Sequence, residues 1–283
     1  AEKDLFATPY WFGKNRIMAT VLVGAEGFSG VKAAANEVGG DGTVRASTAS
    51  LNATRLELDF TGSKVKVKDA LPPRQHQTAF AILKGLNHGT ITMSDEKVQP
   101  SSAQKIIYKR AIEIEPENWD AWCDALEQIR DSSHDEDNHE YQNTVVRVYD
   151  DIGNVVTDYF IEFYEHDADS SWFGRIFHED ALQSVHKHST DSQYRNLYID
   201  VTALHDYIDE VDEHLNICIQ ATPEFDPEKA GPQVGYPSQG EVSLTPELVR
   251  HYFKADRTLL IDIKVRREMR DVFVLKPIPE DEE

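Results

Sequence analysis

The stretch IMATVLVG, residues 17–24, is a near-continuous apolar run. Such a run is typical of a strand that is buried on both faces of a parallel sheet. The stretch TRLELDF, residues 54–60, instead alternates large apolar residues with charged ones, which predicts a strand with one wet face or a place at a sheet edge. Between them runs a glycine-rich connection that contains GGDGTV, residues 39–44. The N-terminal part of the chain therefore predicts an α/β unit.

Helical periodicity begins near residue 101. Ser101 and Gln104 have the spacing of a capping box, and this predicts a helix over residues 102–114. Pro116 is tolerated in a first helical turn, so a second helix is expected to follow it. The second helix carries an apolar stripe of the kind that packs against a core. The stripe consists of Trp119, Trp122, Cys123, Leu126 and Ile129.

The segment DSSHDEDNHE, residues 131–140, contains almost nothing but charged and turn-forming residues. We therefore place a linker at residues 131–141, with the α/β unit in residues 1–130 and a second domain in residues 142–283. Strand-like patterns recur through the second domain, and residues 150–154 have the composition of a hairpin turn. The expected closure is an antiparallel β-sandwich. The predicted fold class is α/β plus all-β.

The composition argues against several classes of function. The 283 residues carry a formal net charge of −21, and no basic run is longer than that of Arg266-Arg267, so no nucleic-acid partner is expected. Cys123 and Cys218 are the only cysteines, and they are too far apart in the sequence for metal-ligand spacing, so they are expected to be core thiols. No apolar stretch reaches the ~18 residues of a transmembrane segment, and the polar N-terminus does not predict a signal peptide.

Asp41 and His88 are the candidate catalytic residues. In one large class of serine hydrolases the sheet displays nucleophile, acid and base in that chain order, with the acid just beyond a strand and the base on a later loop. Asp41 follows the apolar strand in a turn whose glycines permit a tight bend, and His88 lies in the loop LNHG, residues 86–89. Asp-Gly is also an ordinary turn dipeptide, and a lone loop histidine is usually a surface residue. The spacing alone leaves both interpretations open.

The segment of residues 17–52, with its GDGTV turn at residues 40–44, resembles the acid-bearing region of bacterial α/β-hydrolase-fold esterases and lipases. The resemblance extends over roughly the first hundred residues. It implies that residues 1–130 are the C-terminal part of an α/β-hydrolase domain, with Asp41 as the triad acid and His88 as the base. It also implies hydrolysis of a carboxylic ester of a lipid or other acyl chain through an acyl-serine intermediate. That chemistry needs no metal and no organic cofactor.

The nucleophile is the point at which the chain departs from this family. The family carries it in a Gly-x-Ser-x-Gly motif before the acid, and no such motif is present. Ser29 is the only serine before Asp41, Val31 stands where the second glycine belongs, and twelve positions leave no room for the intervening helix and strand. We therefore expect a companion N-terminal segment to supply the serine.

Two alternatives remain open from the sequence. The chain could be a non-catalytic binding or interaction protein that uses the β-sandwich domain, and the absent serine favours this alternative. If another segment supplies the serine instead, the isolated chain should present an apolar, unpaired sheet edge.

Overall fold

The computed structural model describes residues 11–36, 38–71, 76–93, 99–132, 139–165, 180–211, 214–223, 233–237 and 240–270, and it combines helices with several sheets. The elements of the first half are β1 (Thr20–Gly24), α1 (Ala46–Ala49), β2 (Ala53–Asp59), β3 (Lys66–Leu71), β4 (Ala79–Leu83), α2 (His88–Ile91), α3 (Ser102–Glu113) and α4 (Trp119–Asp131). Those of the second half are β5 (Tyr141–Asp150), β6 (Tyr159–Glu165), β7 (Leu182–Lys187), β8 (Tyr194–Asp200), α5 (Val201–Val211), β9 (Leu215–Ala221), β10 (Gln233–Gly235), β11 (Glu241–Leu244), α6 (Pro246–Tyr252), β12 (Thr258–Val265) and β13 (Glu268–Arg270).

β1 and β4 form a parallel two-stranded layer against which α4 packs. The predicted stripe of α4 makes this contact, because residues at helical spacing share one face. The indole nitrogens of the stripe also find partners: Trp119 donates to the carbonyl oxygen of His76 at 2.9 Å, and Trp122 donates to Thr20 Oγ1 at 3.0 Å. The predicted capping box of Ser101 and Gln104 is present at the start of α3.

A second layer is a mixed six-stranded sheet with the order β3-β2-β12-β5-β8-β7. One face of this sheet packs against the three-stranded antiparallel sheet β11-β9-β6 and against α5 and α6, in one large apolar core. The alternating residues Leu56, Leu58 and Phe60 lie in this core, as their pattern predicts. The short strands β10 and β13 form an antiparallel pair.

The structure corrects the expectation of a wholly antiparallel second domain. β12 pairs in parallel with both β2 and β5, because its nearly continuous apolar sequence is buried on both faces. β2 and β3, which precede the predicted linker at residues 131–141, therefore share a sheet with strands that follow it. Residues 133–138 of that linker lie outside the described residues.

The turn predicted at residues 150–154 forms, but it does not lead into a hairpin of two long strands. Tyr149 and Val155 make a single antiparallel bridge across the turn. The chain then leaves the six-stranded sheet, and β6 pairs with β9 in the three-stranded sheet. The chain thus crosses from one sheet to the other at this point.

The outer face of the six-stranded sheet carries a buried ion triad. Asp262 of β12 is fully buried and lies between Arg55 of β2 and Arg147 of β5. The Nε atoms of the two arginines donate to the two carboxylate oxygens at 2.7 and 2.8 Å, and a further nitrogen of each contacts the same carboxylate. Burial raises the pKa of Asp262, and the two guanidinium groups act in the opposite direction. This ion triad joins the three adjacent strands β2, β12 and β5 in the middle of the sheet.

Candidate functional site

Asp41 lies in a tight turn beyond β1, and the backbone holds its carboxylate in place. Its side chain is buried, and Oδ1 accepts hydrogen bonds from the amides of Thr43 at 3.1 Å and Val44 at 2.9 Å. The amide of Asp41 in turn donates to the carbonyl oxygen of Val44 at 3.0 Å. This leaves Oδ2 as the oxygen available to a neighbouring side chain.

His88 begins the short helix α2, directly beyond β4. Asn87 is the N-cap residue, and its side chain accepts from the amides of Gly89 and Thr90 in a capping box with Thr90. The backbone amide of His88 donates to the carbonyl oxygen of Asp41 at 2.9 Å, so the two loops are joined through the main chain as well. The cap therefore fixes the backbone from which the imidazole projects.

The two predicted residues meet in the structure. His88 Nδ1 lies 3.2 Å from Asp41 Oδ2, and the imidazole is about two fifths exposed while the carboxylate is buried. The loops that carry them follow the carboxyl ends of two adjacent parallel strands, which places both loops at the same edge of the layer. A buried carboxylate on Nδ1 of an exposed imidazole leaves Nε2 to face a substrate or a nucleophile.

The loop that carries Asp41 contacts Tyr198 of β8 in the six-stranded sheet. The hydroxyl of Tyr198 donates to the carbonyl oxygen of Val38 at 2.8 Å, and burial raises the pKa of Tyr198, which keeps this donor protonated. The Arg45 guanidinium lies 3.9 Å above the Tyr198 ring, and Tyr141 stacks on that ring with centroids 5.0 Å apart. Gly39 has φ +71°, and a Cβ there would lie 2.5 Å from the Tyr198 hydroxyl. The contact between this loop and Tyr198 thus requires glycine at position 39.

A second carboxylate–imidazole pair lies nearby, and the sequence patterns missed it. His139 Nδ1 contacts Asp200 Oδ2, and Asp200 is buried and also accepts from the amide of Ala203 at the start of α5. His139 lines a cavity of about 230 Å³ together with Gly40, which precedes the candidate acid. The partners are 61 positions apart, so local spacing carries no signal of their contact.

Ser29 precedes a 3-10 helix, Gly30–Ala35, and makes no side-chain cap there. The adjacent Phe28 is fixed by Asn36, whose side chain bonds both its amide at 2.7 Å and its carbonyl oxygen at 2.8 Å. The Phe28 ring lies against Gly42, next to the candidate acid. A nucleophile elbow joins a strand directly to an α-helix, and the backbone around Ser29 does not have this form.

The described ranges contain neither a candidate metal site nor a candidate membrane-spanning helix. No cluster of three or more His, Cys, Asp or Glu side chains in these ranges has a geometry that could hold a metal ion. No helix within them is long and apolar enough to cross a bilayer.

Comparison with known proteins gives a match in fold. Two solved structures of phospholipase PlaB from Legionella pneumophila align with the whole of this chain, one in complex with thio-NAD at a TM-score of 0.69 and a second at 0.68. The sequence identity is 16% in both. The chain spans 64% and 62% of the lengths of those two chains, which is less than two thirds. No protein-family model and no curated protein matches the sequence.

Proposed function

We propose that this protein is a serine hydrolase that cleaves carboxylic esters of lipids or other acyl chains, with Asp41 and His88 as the acid and base of its triad. The observation that carries the proposal is the contact between Asp41 Oδ2 and His88 Nδ1 beyond two parallel strands. The match in fold to a protein named as a phospholipase supports the choice of substrate class. In this proposal the β1–β4 layer is one end of an α/β-hydrolase sheet.

Each residue has a defined role in the reaction. Asp41 accepts a hydrogen bond from Nδ1 of His88, which fixes the tautomer whose Nε2 accepts a proton. Nε2 takes the proton of the serine hydroxyl as Oγ attacks the ester carbonyl carbon, and Asp41 stabilises the imidazolium that forms. The imidazolium then protonates the leaving alcohol as its C–O bond breaks, and an acyl-serine remains.

The second half of the reaction repeats these roles with water. His88 removes a proton from a water molecule that attacks the acyl carbonyl carbon. It returns the proton to serine Oγ as the acyl–oxygen bond breaks, and the carboxylic acid leaves. The buried position of Asp41, with two amides on Oδ1, keeps its second oxygen directed at the imidazole throughout.

We propose further that the serine belongs to a companion segment outside these 283 residues, N-terminal to them, since the sequence has no Gly-x-Ser-x-Gly motif. The same absence favours the second candidate function, a non-catalytic binding protein that retains the carboxylate–imidazole pair as a structural contact. The two candidates differ in one measurable property, which is ester hydrolysis by the full-length product of the gene.

The test measures hydrolysis of p-nitrophenyl butyrate and of phosphatidylcholine vesicles by that full-length product. Loss of a triad member lowers kcat by about 10⁴-fold or more, so we expect this loss in His88→Ala and in Asp41→Asn. His188→Ala is the matched control, because His188 is exposed and its imidazole accepts from the nearby amide of Asp191, and this variant should keep wild-type activity. Absence of hydrolysis, or equal activity in all variants, would support the binding protein.

A further inference from the structure

The turn of residues 38–45 carries Asp41 and closes upon itself. Gly40 and Arg45 form an antiparallel bridge across it, and the amide of Asp41 donates to the carbonyl oxygen of Val44 at 3.0 Å. These contacts fix the shape of the turn. Its position relative to the candidate base depends instead on contacts between the turn and the rest of the molecule.

Tyr198 of β8 contacts both ends of this turn. At one end its hydroxyl donates to the carbonyl oxygen of Val38 at 2.8 Å, and at the other end the Arg45 guanidinium lies 3.9 Å above its ring. The Val38 side chain is 60% exposed, so its own packing does little to hold the first end. Tyr198 itself is buried and stacks on Tyr141 of β5. A ring packed in this way has little freedom to move, so the ends of the turn take their positions from the six-stranded sheet.

The contact that this position controls has little margin. His88 Nδ1 lies 3.2 Å from Asp41 Oδ2, which is at the upper limit of about 3.2 Å for an N–H···O hydrogen bond. Val38, whose carbonyl oxygen Tyr198 holds, lies three positions before Asp41. A small outward movement of the turn would therefore weaken the hydrogen bond that orients the imidazole.

We infer that Tyr198 is a positioning residue for the acid of the proposed triad, because its hydroxyl and its ring hold the turn of residues 38–45 at the distance from His88 that the hydrogen bond needs. The effect on catalysis rests on the proposed function, whereas the effect on the contact between Asp41 and His88 does not. The inference makes the six-stranded sheet part of the catalytic arrangement. Val38 and Tyr198 are 160 positions apart, so local sequence patterns carry no signal of this role.

The test compares Tyr198→Phe with the wild type in the full-length product of the gene. Phenylalanine keeps the ring that Arg45 and Tyr141 contact and removes only the hydroxyl, so this variant should fold. With p-nitrophenyl butyrate we expect kcat to fall on the order of tenfold, because a displaced acid orients the imidazole less well. KM should stay unchanged, because Tyr198 is buried and does not form part of the surface that binds the ester.

Tyr159→Phe is the matched control. Tyr159 is also buried, its hydroxyl donates to the carbonyl oxygens of Val146 and Gln193, and the Arg195 guanidinium lies 4.4 Å above its ring. It therefore shares the chemical surroundings of Tyr198, but its hydroxyl bonds to β5 and to the loop before β8. The control should lose a similar amount of stability in urea unfolding and keep the wild-type kcat.

The second readout is the NMR resonance of the proton on His88 Nδ1, assigned by its loss in His88→Ala. We expect this proton to exchange with water faster in Tyr198→Phe than in the wild type or in Tyr159→Phe. Gly39→Ala keeps Tyr198 and places a methyl group against its hydroxyl, so it should also speed the exchange, and it tests the same contact if Tyr198→Phe does not fold.

The two readouts separate this inference from the proposed function. An inactive wild type in which Tyr198→Phe still speeds the exchange of the His88 proton would remove the hydrolase and keep the positioning role. An active wild type, with the same kcat and the same proton exchange in Tyr198→Phe and Tyr159→Phe, would keep the hydrolase and overturn the inference.

Discussion

Asp262→Ala should be among the most destabilising single substitutions in this protein. The carboxylate is fully buried, and the guanidinium groups of Arg55 and Arg147, 22% and 19% exposed, have it as a common partner. Removing the central member of such a buried network takes the buried counter-ion away from both guanidinium groups and costs about 3–5 kcal/mol. With an m-value of about 3 kcal/mol/M, the urea midpoint should fall by about 1 M or more.

The assay is urea unfolding followed by circular dichroism, with Glu57→Ala as the control. Glu57 pairs with Lys68 on the same face of the sheet at 3.2 Å, but the Lys68 side chain is 67% exposed. Loss of this ion pair should therefore lower the free energy of unfolding by less than about 1 kcal/mol. Replacing Asp262, Arg55 and Arg147 together by leucine and methionine should recover most of the lost stability, since the arginine charges are then removed together with the carboxylate. Equal urea midpoints for Asp262→Ala and Glu57→Ala would show that the buried ion triad contributes no more than an exposed ion pair.

Three further predictions concern other parts of the chain. Gly39→Ala should lower the free energy of unfolding by about 1–3 kcal/mol more than Gly153→Ala does. Both glycines have positive φ, but only Gly39 is crowded by aromatic side chains. Equal losses of stability in urea unfolding would contradict this. Burial raises the pKa of Asp150, but hydrogen bonds from Asn154 and Arg267 outweigh it and hold the pKa below its usual value. Its contribution to stability is therefore complete above pH ~3.9 and is lost as the pH falls through the lowered folded-state value, so Asp150→Asn should flatten the acid limb of a stability–pH curve. Burial, reinforced by nearby acidic side chains, raises the pKa of Cys123 to about 12. Ellman's reagent at pH 8 should therefore modify the half-buried Cys218 in the folded protein and Cys123 only after unfolding. A reactive Cys123 in the native protein would show that α4 is not packed.

Local patterns predicted the elements that surround the candidate site. The apolar run at residues 17–24 contains β1, and the stripe beginning at Trp119 is the buried face of α4. These predictions succeed because burial on a given face follows from the period of the sequence. The contact between Asp41 and His88 was suggested by chain order and by family resemblance; the structure brings the pair together, and their catalytic roles stay a prediction.

Long-range pairings could not be predicted in the same way. β2 and β12 lie about two hundred residues apart, and periodicity specifies the faces of a strand but not its neighbour. The turn at residues 150–154 has hairpin composition, yet only the partner strand β9 decides where β6 pairs. His139 and Asp200 meet only because β5 and β8 are neighbours, so the pair becomes visible once the sheet is assembled.

In the proposed function, Asp41 and His88 serve a serine outside these residues. The most direct measurement is reaction of the full-length product with a fluorophosphonate, followed by mass spectrometry of its peptides, in the wild type and in His88→Ala. We expect one adduct, on a serine N-terminal to these 283 residues, that is lost in His88→Ala and kept in His188→Ala. No adduct in the wild type, or an adduct that forms at the same rate in His88→Ala, would contradict it.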